Sequence, residues 1–364
     1  VDINLFLGCL YGSSGTSTTS TNPLDMVMEK ILVALKKEGR KPSSMRPKLE
    51  RADERAKGGK IFGLGASTKG NVLLQTSGVT ADLLPYVGDV NPYKFGVIGS
   101  TDTHTGLSTA DDNQFFGKHT GNEPNPKRAM QEQNLGTNRG RFGWHYLASG
   151  YAAVWAKANT RAAIFDAMER REVYASTGPR MTVRFFGGWD FKADDLKGNW
   201  VQAGYKRGVP MGGELSGGKK GAPTFIVSAL KDPIGANLDR VQVVKGWVDK
   251  AGKAHEKVFN VVWSDPAKRK LAGGKLPAVG DTVDLATATY KNSIGAANLA
   301  TVWTDPEFDP SVRAFYYLRV LEIPTPRWTA YDAVRFKLKL PPEVQVKQQE
   351  RAYTSAIWYN PAKK

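Results

Sequence analysis

The chain has 364 residues, 41% hydrophobic and 10% aromatic, with 51 Lys and Arg against 35 Asp and Glu for a formal charge of +16. This composition supports packed cores in roughly two or three domains and excludes wholesale disorder. One Cys excludes an intramolecular disulfide framework and a Cys-based zinc cage, and no apolar run is long enough to predict a membrane span.

Near the N-terminus, Leu5-Phe6-Leu7-Gly8-Cys9 has the outline of a lipoprotein cleavage site but lacks a basic leader, so no signal peptide is read here. Residues 11–22 (YGSSGTSTTSTN) form a flexible linker tract. Asn22-Pro23 opens a predicted helix, with Leu24, Val27, Met28, Ile31 and Leu35 at helical spacing and Gly39 closing it. Between Lys36 and Lys60 ten basic residues meet four acidic ones and no aromatic. Without a stacking platform this run predicts a solvated helix face or linker, and no specific nucleic-acid partner.

A short strand at 60–62 then runs into Gly63-Leu64-Gly65-Ala66-Ser67-Thr68-Lys69-Gly70 and a following helix. The spacing misses the dinucleotide fingerprint by one residue, and Lys69 precedes rather than follows the last glycine, against the P-loop order. A structural strand-turn-helix is the expectation; a nucleotide site at Gly63–Gly70 is the third-ranked reading.

Residues 95–100 predict a buried strand, 106–145 an irregular polar loop, and 149–170 a helix with Ala158, Ala162, Phe165 and Met168 along one side. Beyond Pro179, strands are expected at 181–186, 224–230, 240–248, 257–263, 282–290 and 315–321, a spacing that argues for a β-sandwich. The aromatic tail, residues 353–361, is expected to dock. No internal repeat is apparent.

Asp102-Thr103-His104 follows the 95–100 strand, and residues two apart on an extended chain point the same way. A carboxylate with a neutral imidazole suits a divalent metal such as Zn, Mn or Fe, although two ligands alone do not make a site. A capping Asp with a hydrogen-bonded His in a turn explains the same residues equally well. His119, after Phe115-Phe116-Gly117-Lys118, is placed to fold back over Asp102, or else lies on the surface. His145, between Trp144 and Tyr146, reads as structural, and His255 as a solvated turn residue.

Residues 92–364 closely resemble the bacterial family called domain of unknown function 3604. The matching stretches include NPYKFGVIGSTDTHTGL (91–107), DNQFFGKHTG (112–121), ASGYAAVWAKANTRAAIFDAMERREVYASTGPRMTVRFFGGWDF (148–191), APTFIVSALKDPIGANLDRVQVVKGW (222–247) and AYTSAIWYNP (352–361). That family looks related to the polymerase-and-histidinol-phosphatase (PHP) superfamily of metal-dependent phosphoesterases, which fold as distorted α/β barrels. Asp102 and His104 match the superfamily's late Asp-x-His metal motif. The resemblance implies a hydrolase in which metal ions generate hydroxide and polarise an ester oxygen, acting on a small phosphoester or related ester. Arg180, in the Ser-Thr-Gly-Pro-Arg turn, is the candidate for neutralising a substrate anion. The superfamily's early His-x-His motif has no counterpart, since no His precedes His104. An incomplete metal site with weak binding and little or no turnover is therefore expected. The family resemblance favours a periplasmic or secreted protein.

Residues 60–97 instead resemble the C-terminal Rossmann-like region of sugar C-methyltransferases that use S-adenosylmethionine, through KIFGLGASTKGNVLLQ (60–75) and LLPYVGDVNPYKFG (83–96). Asn91-Pro92-Tyr93-Lys94-Phe95-Gly96 fits both families. This is the pattern of two coding sequences joined at a shared segment, or of a genuine fusion.

The expected fold class is thus α/β plus β. Residues 1–59 are an unassigned linker and helix, and 60–97 a small Rossmann-like βα segment. Residues 92–180 are the end of a PHP-like barrel, and 181–364 a β-sandwich-like domain with a docked tail. The expected function is a metal-dependent hydrolase-like protein with Asp102, His104 and His119 at the metal and Arg180 at the substrate. The alternatives are a noncatalytic β-sandwich module gripping a sugar or peptide through Trp189, Trp200 and Trp247, or a fusion with a nucleotide- or S-adenosylmethionine-type binding segment.

Overall fold

The computed structural model describes residues 94–107, 110–132, 140–148, 150–217 and 221–362. The helix expected after Pro23, the basic run and the Gly63–Gly70 loop lie outside these residues. What is described is mixed α/β and mostly sheet.

Strand β10 (Ala314–Pro326) organises the larger sheet because it is long enough to hold two partners end to end along one edge. It pairs there with β11 (Lys347–Thr354) and β12 (Ile357–Asn360), and along its other edge with β7 (Leu238–Val248), which carries β8 (Ala254–Trp263) outside it. Beyond β11 come β2 (Val173–Ser176) and β1 (Tyr151–Val154); beyond β12 lies β5 (Glu214–Ser216), paired in parallel. The second sheet is antiparallel, in the order β4 (Gly208–Pro210), β3 (Thr182–Gly188), β6 (Thr224–Leu230), β9 (Asn298–Thr304).

The period-2 alternation of these strands makes one shared core. Val183, Phe185, Phe225, Val227 and Leu299 from the smaller sheet pack with Val241, Val243, Tyr316, Leu318 and Val320 from the larger. The two sheets therefore form a sandwich. The alternate residues Phe186 and Ile226 point the other way, onto Trp200 and Val201 of helix α2 (Trp200–Arg207). Asn199 caps that helix by accepting from the Gln202 N–H, and Gly204 leaves room for the Phe186 ring. Because β2 pairs with β11, the larger sheet runs through the 180/181 boundary expected from the sequence.

Several expected elements differ. Residues 95–100 are extended but belong to no ladder, and Phe95 and Ile98 are exposed. Their glycines explain this: a Cβ on Gly99 would stand 2.6 Å from the Tyr151 carbonyl oxygen, so the segment meets β1 and β2 backbone to backbone. The helix expected over 149–170 is instead β1 followed by α1 (Arg161–Glu169). Thr160 sets the start by accepting from the Ala163 N–H, and Phe165 and Met168 face outward. No strand forms over 282–290, because Asp281 and Asp284 take the N–H groups of Val283 and Ala286 into turns.

The described residues of 101–148 are irregular apart from two short 3-10 turns, as the polar composition of 106–145 predicts. They dock on helix α3 (Trp328–Phe336) through Phe115, Ala129 and Ala148, packed around the buried Trp328. Gly150 is the tightest point of the connection, since a Cβ there would fall 1.4 Å from the Ser176 carbonyl oxygen. Gly150→Ala is expected to cost at least about 1–3 kcal/mol in chemical denaturation, because only backbone movement relieves that clash.

Candidate functional site

The chain leaves the edge of β1 at Ser100, whose carbonyl accepts from the Gly150 N–H, and turns sharply at Asp102, where φ is +50°. Asp is among the few residues that tolerate the left-handed region. The Thr101 and Thr103 hydroxyls are 3.2 Å apart across this turn. Its two ends are clamped by one residue: the Lys118 ammonium donates to the Thr101 carbonyl, and the His104 N–H donates to the Lys118 carbonyl at 2.7 Å. Gly117, at φ +126° and tight against the Asn122 backbone, is what brings Lys118 and His119 back to this turn.

The fold therefore brings three predicted residues together. His104 Nε2 lies 3.8 Å from Asp102 Oδ1, an ion-pair distance too long for a hydrogen bond. The His104 and His119 rings stack, with centroids 4.5 Å apart and planes at 21°. The Tyr146 ring is also near His119, at 6.1 Å between ring centres, and its buried hydroxyl has no hydrogen-bond partner among the described residues. Burial holds the His119 imidazole below its usual pKa. The neighbouring His104 and Lys118 act in the same direction, while Asp102 opposes them. His119 is thus neutral at neutral pH, the form in which a ring nitrogen can accept a bond.

As placed, these side chains do not close around an ion. No group of three or more His, Cys, Asp or Glu side chains suited to a metal occurs among the described residues. The Asp102 and His104 side chains are 82% and 63% exposed, so both are free to turn. Because Lys118 is the clamp, Lys118→Met is expected to loosen the turn without unfolding the sandwich. NMR contacts between the His104 and His119 rings should disappear in that variant while those within β6 and β9 persist.

Arg180 is not joined to this group. Its backbone N–H donates to Asp232 Oδ2 at 2.7 Å, while its side chain is exposed and makes no hydrogen bond or ion pair with the described residues. His145 is structural, its Nδ1 accepting from the Phe142 N–H. His255 is not a solvated turn residue: it sits in β8, half-buried, 2.7 Å from Asp249 Oδ2 and stacked on Trp247. The three Trp residues of the binding-module reading do not share a surface. Trp189 packs edge-on against Phe308 and Tyr359, Trp247 lines a cavity of about 440 Å³, and Trp200 lines a separate groove of about 420 Å³. Lys118 and Tyr146 escaped the sequence reading because nothing in their local spacing marks them.

Among the described residues no helix is long and apolar enough to cross a membrane. A family model described as the C-methyltransferase C-terminal domain matches residues 43–107, and it overlaps the second match over residues 84–107, a stretch that contains the shared segment 91–96. Neither a curated protein nor a solved structure matches the chain. The second match runs over residues 84–361, most of the chain, and on it the chain belongs to the family described as protein of unknown function (DUF3604).

Proposed function

We propose that the chain is a metal-dependent hydrolase-like protein of phosphoesterase type, with Asp102, His104 and His119 as its metal-facing donors and a small phosphoester or related ester as substrate. The observation that supports it most is the meeting of Asp102, His104 and His119 at one exposed turn, from two segments brought together by the Lys118 clamp. The Asp-x-His resemblance to the PHP superfamily points the same way and extends to the fold, in which residues 92–180 are read as the end of a barrel. Residues 60–97 are read as a Rossmann-like segment joined to it.

The chemistry supplied by this chain's own residues is limited. Neutral His119 accepts a proton or donates its ring-nitrogen lone pair to a cation; the Asp102 carboxylate attracts a cation; Arg180 is an exposed positive charge for a substrate anion. With this donor set, turnover on an activated phosphodiester such as bis(p-nitrophenyl) phosphate is expected to be small, to require added Zn, Mn or Fe, and to vanish in Asp102→Ala. Turnover that survives this substitution, or that ignores the metal, contradicts the reading.

The binding-module reading is favoured by one observation, the groove walled by Trp155 and Trp200 over Thr182, Ser228 and Asn298. Aromatic walls over polar groups suit the apolar and hydroxyl faces of a sugar. Saccharide binding unaffected by loss of Asp102 and His104 and lost in Trp200→Ala would support it over the hydrolase.

A further inference from the structure

Where the site-bearing segment meets the sandwich, two carboxyl groups are brought face to face. Asp112 comes from the irregular segment and Glu350, buried, from β11. The Gln348 side-chain amide donates to Asp112 Oδ2 and Glu350 Oε1 alike, so the two acids share one nitrogen. Their remaining oxygens are also engaged, Asp112 Oδ1 by the Trp328 N–H at 2.8 Å and Glu350 Oε2 by the Thr177 hydroxyl.

The surroundings make the pair an awkward place for two negative charges. Arg327, at the start of α3, is a cation that interacts with both. Its guanidinium is itself committed to the Tyr146 and Gln345 carbonyls. Tyr331 from α3 and Glu322 from β10 also act on the pair, and behind Glu322 lie Asp232, Lys231 and Tyr290. Glu322 is 1% exposed, and its Oε1 has no hydrogen-bond partner among the described residues. Lys231 spends its ammonium on the carbonyls of Asp232, Pro233 and Gly235.

We propose that Asp112 and Glu350 form a proton-held latch, closed while a proton lies between them, that fixes the segment bearing Asp102, His104 and His119 onto the sandwich. The inference stands on the junction alone and does not depend on the hydrolase reading. Burial pushes both carboxyls above their usual range, and for Glu350 the charge of Asp112 adds to it. The folded junction therefore keeps protons that an unfolded chain releases. The stabilisation is complete below the ordinary carboxylate range and is lost as pH rises through the raised folded values.

Hydrogen–deuterium exchange of the full chain, corrected for the intrinsic rate, tests the latch between about pH 5 and about pH 9. The amides to follow are those of Gly143 and Trp144, which are bonded within the docked segment to Gln131 and Ala129, with the β6 amides as the reference for folding. In the wild type, segment protection should fall at least about tenfold with rising pH while β6 stays protected, one pKa unit being tenfold in population. Glu350→Gln keeps the amide-sized shape and removes one of the two titrating groups of the pair, so its fall should be clearly smaller than in the wild type. Asp112→Asn provides the second variant should Glu350→Gln fail to protect β6. A wild-type curve without the fall, or an equal fall in a folded variant, overturns the proposal.

Discussion

Asp332→Ala is expected to cost about 3–5 kcal/mol and to release residues 95–148 before the sandwich unfolds. Asp332 holds Arg128 in a two-pronged ion pair, with Oδ2 taking Nε at 2.5 Å and Oδ1 taking Nη2 at 2.8 Å, both side chains almost fully buried. Arg128 also donates to the Phe115 carbonyl and lies 4.7 Å over the Trp328 ring. Such a pair adds little over a well-packed apolar replacement, but removing one partner strands a buried guanidinium. Two transitions are therefore expected in the variant. The first should be followed by exchange of the Trp144 amide and the second by the β6 amides. A single transition at the wild-type midpoint would mean that the segment is docked by other contacts.

The second large effect lies inside the sandwich. Lys245, on β7 and 3% exposed, places its ammonium 2.6 Å from Asp305 Oδ2, which also accepts from the Tyr316 hydroxyl at 2.7 Å. Asp305 is the one carboxylate bonded to that ammonium, whose other bond is to the Glu307 carbonyl. Asp305→Ala leaves a buried charge and a buried phenol unpaired, at a cost again of about 3–5 kcal/mol, seen as a lowered denaturation midpoint. The double replacement Lys245→Met with Asp305→Ala should recover much of that loss, because it removes the stranded charge rather than its partner. Recovery of nothing would mean that Asp305 acts through the 304–307 turn instead of through Lys245.

These two ion pairs also show what was legible in the sequence. The strands at 224–230, 240–248 and 315–321 were legible as apolar runs between turn signals, and one face of each packs in the sandwich core. The sandwich itself could be expected from that spacing. Asp102, His104 and His119 were legible as types, and the short distance from His119 back to Asp102 marked it as a candidate. Arg128 with Asp332 was invisible, since the partners are far apart in the chain and only the docked fold joins them. The 282–290 strand failed for a local reason: Asp281 and Asp284 compete for backbone N–H groups, and this outweighs the β-branched residues between them. The 95–100 strand failed because Gly99 lets backbone approach backbone, and Phe95 and Ile98 stay outside the core.

Facing a metal is the role proposed for Asp102, His104 and His119. The direct test is metal content and Zn and Mn titration of the full chain beside an Asp102→Ala/His104→Ala variant, with His104 and His119 followed by NMR. Weak, saturable binding that shifts both imidazoles is expected in the wild type, and none in the variant. Equal binding by both proteins, or none by either, would contradict that role and leave the turn at Asp102 as a structural one.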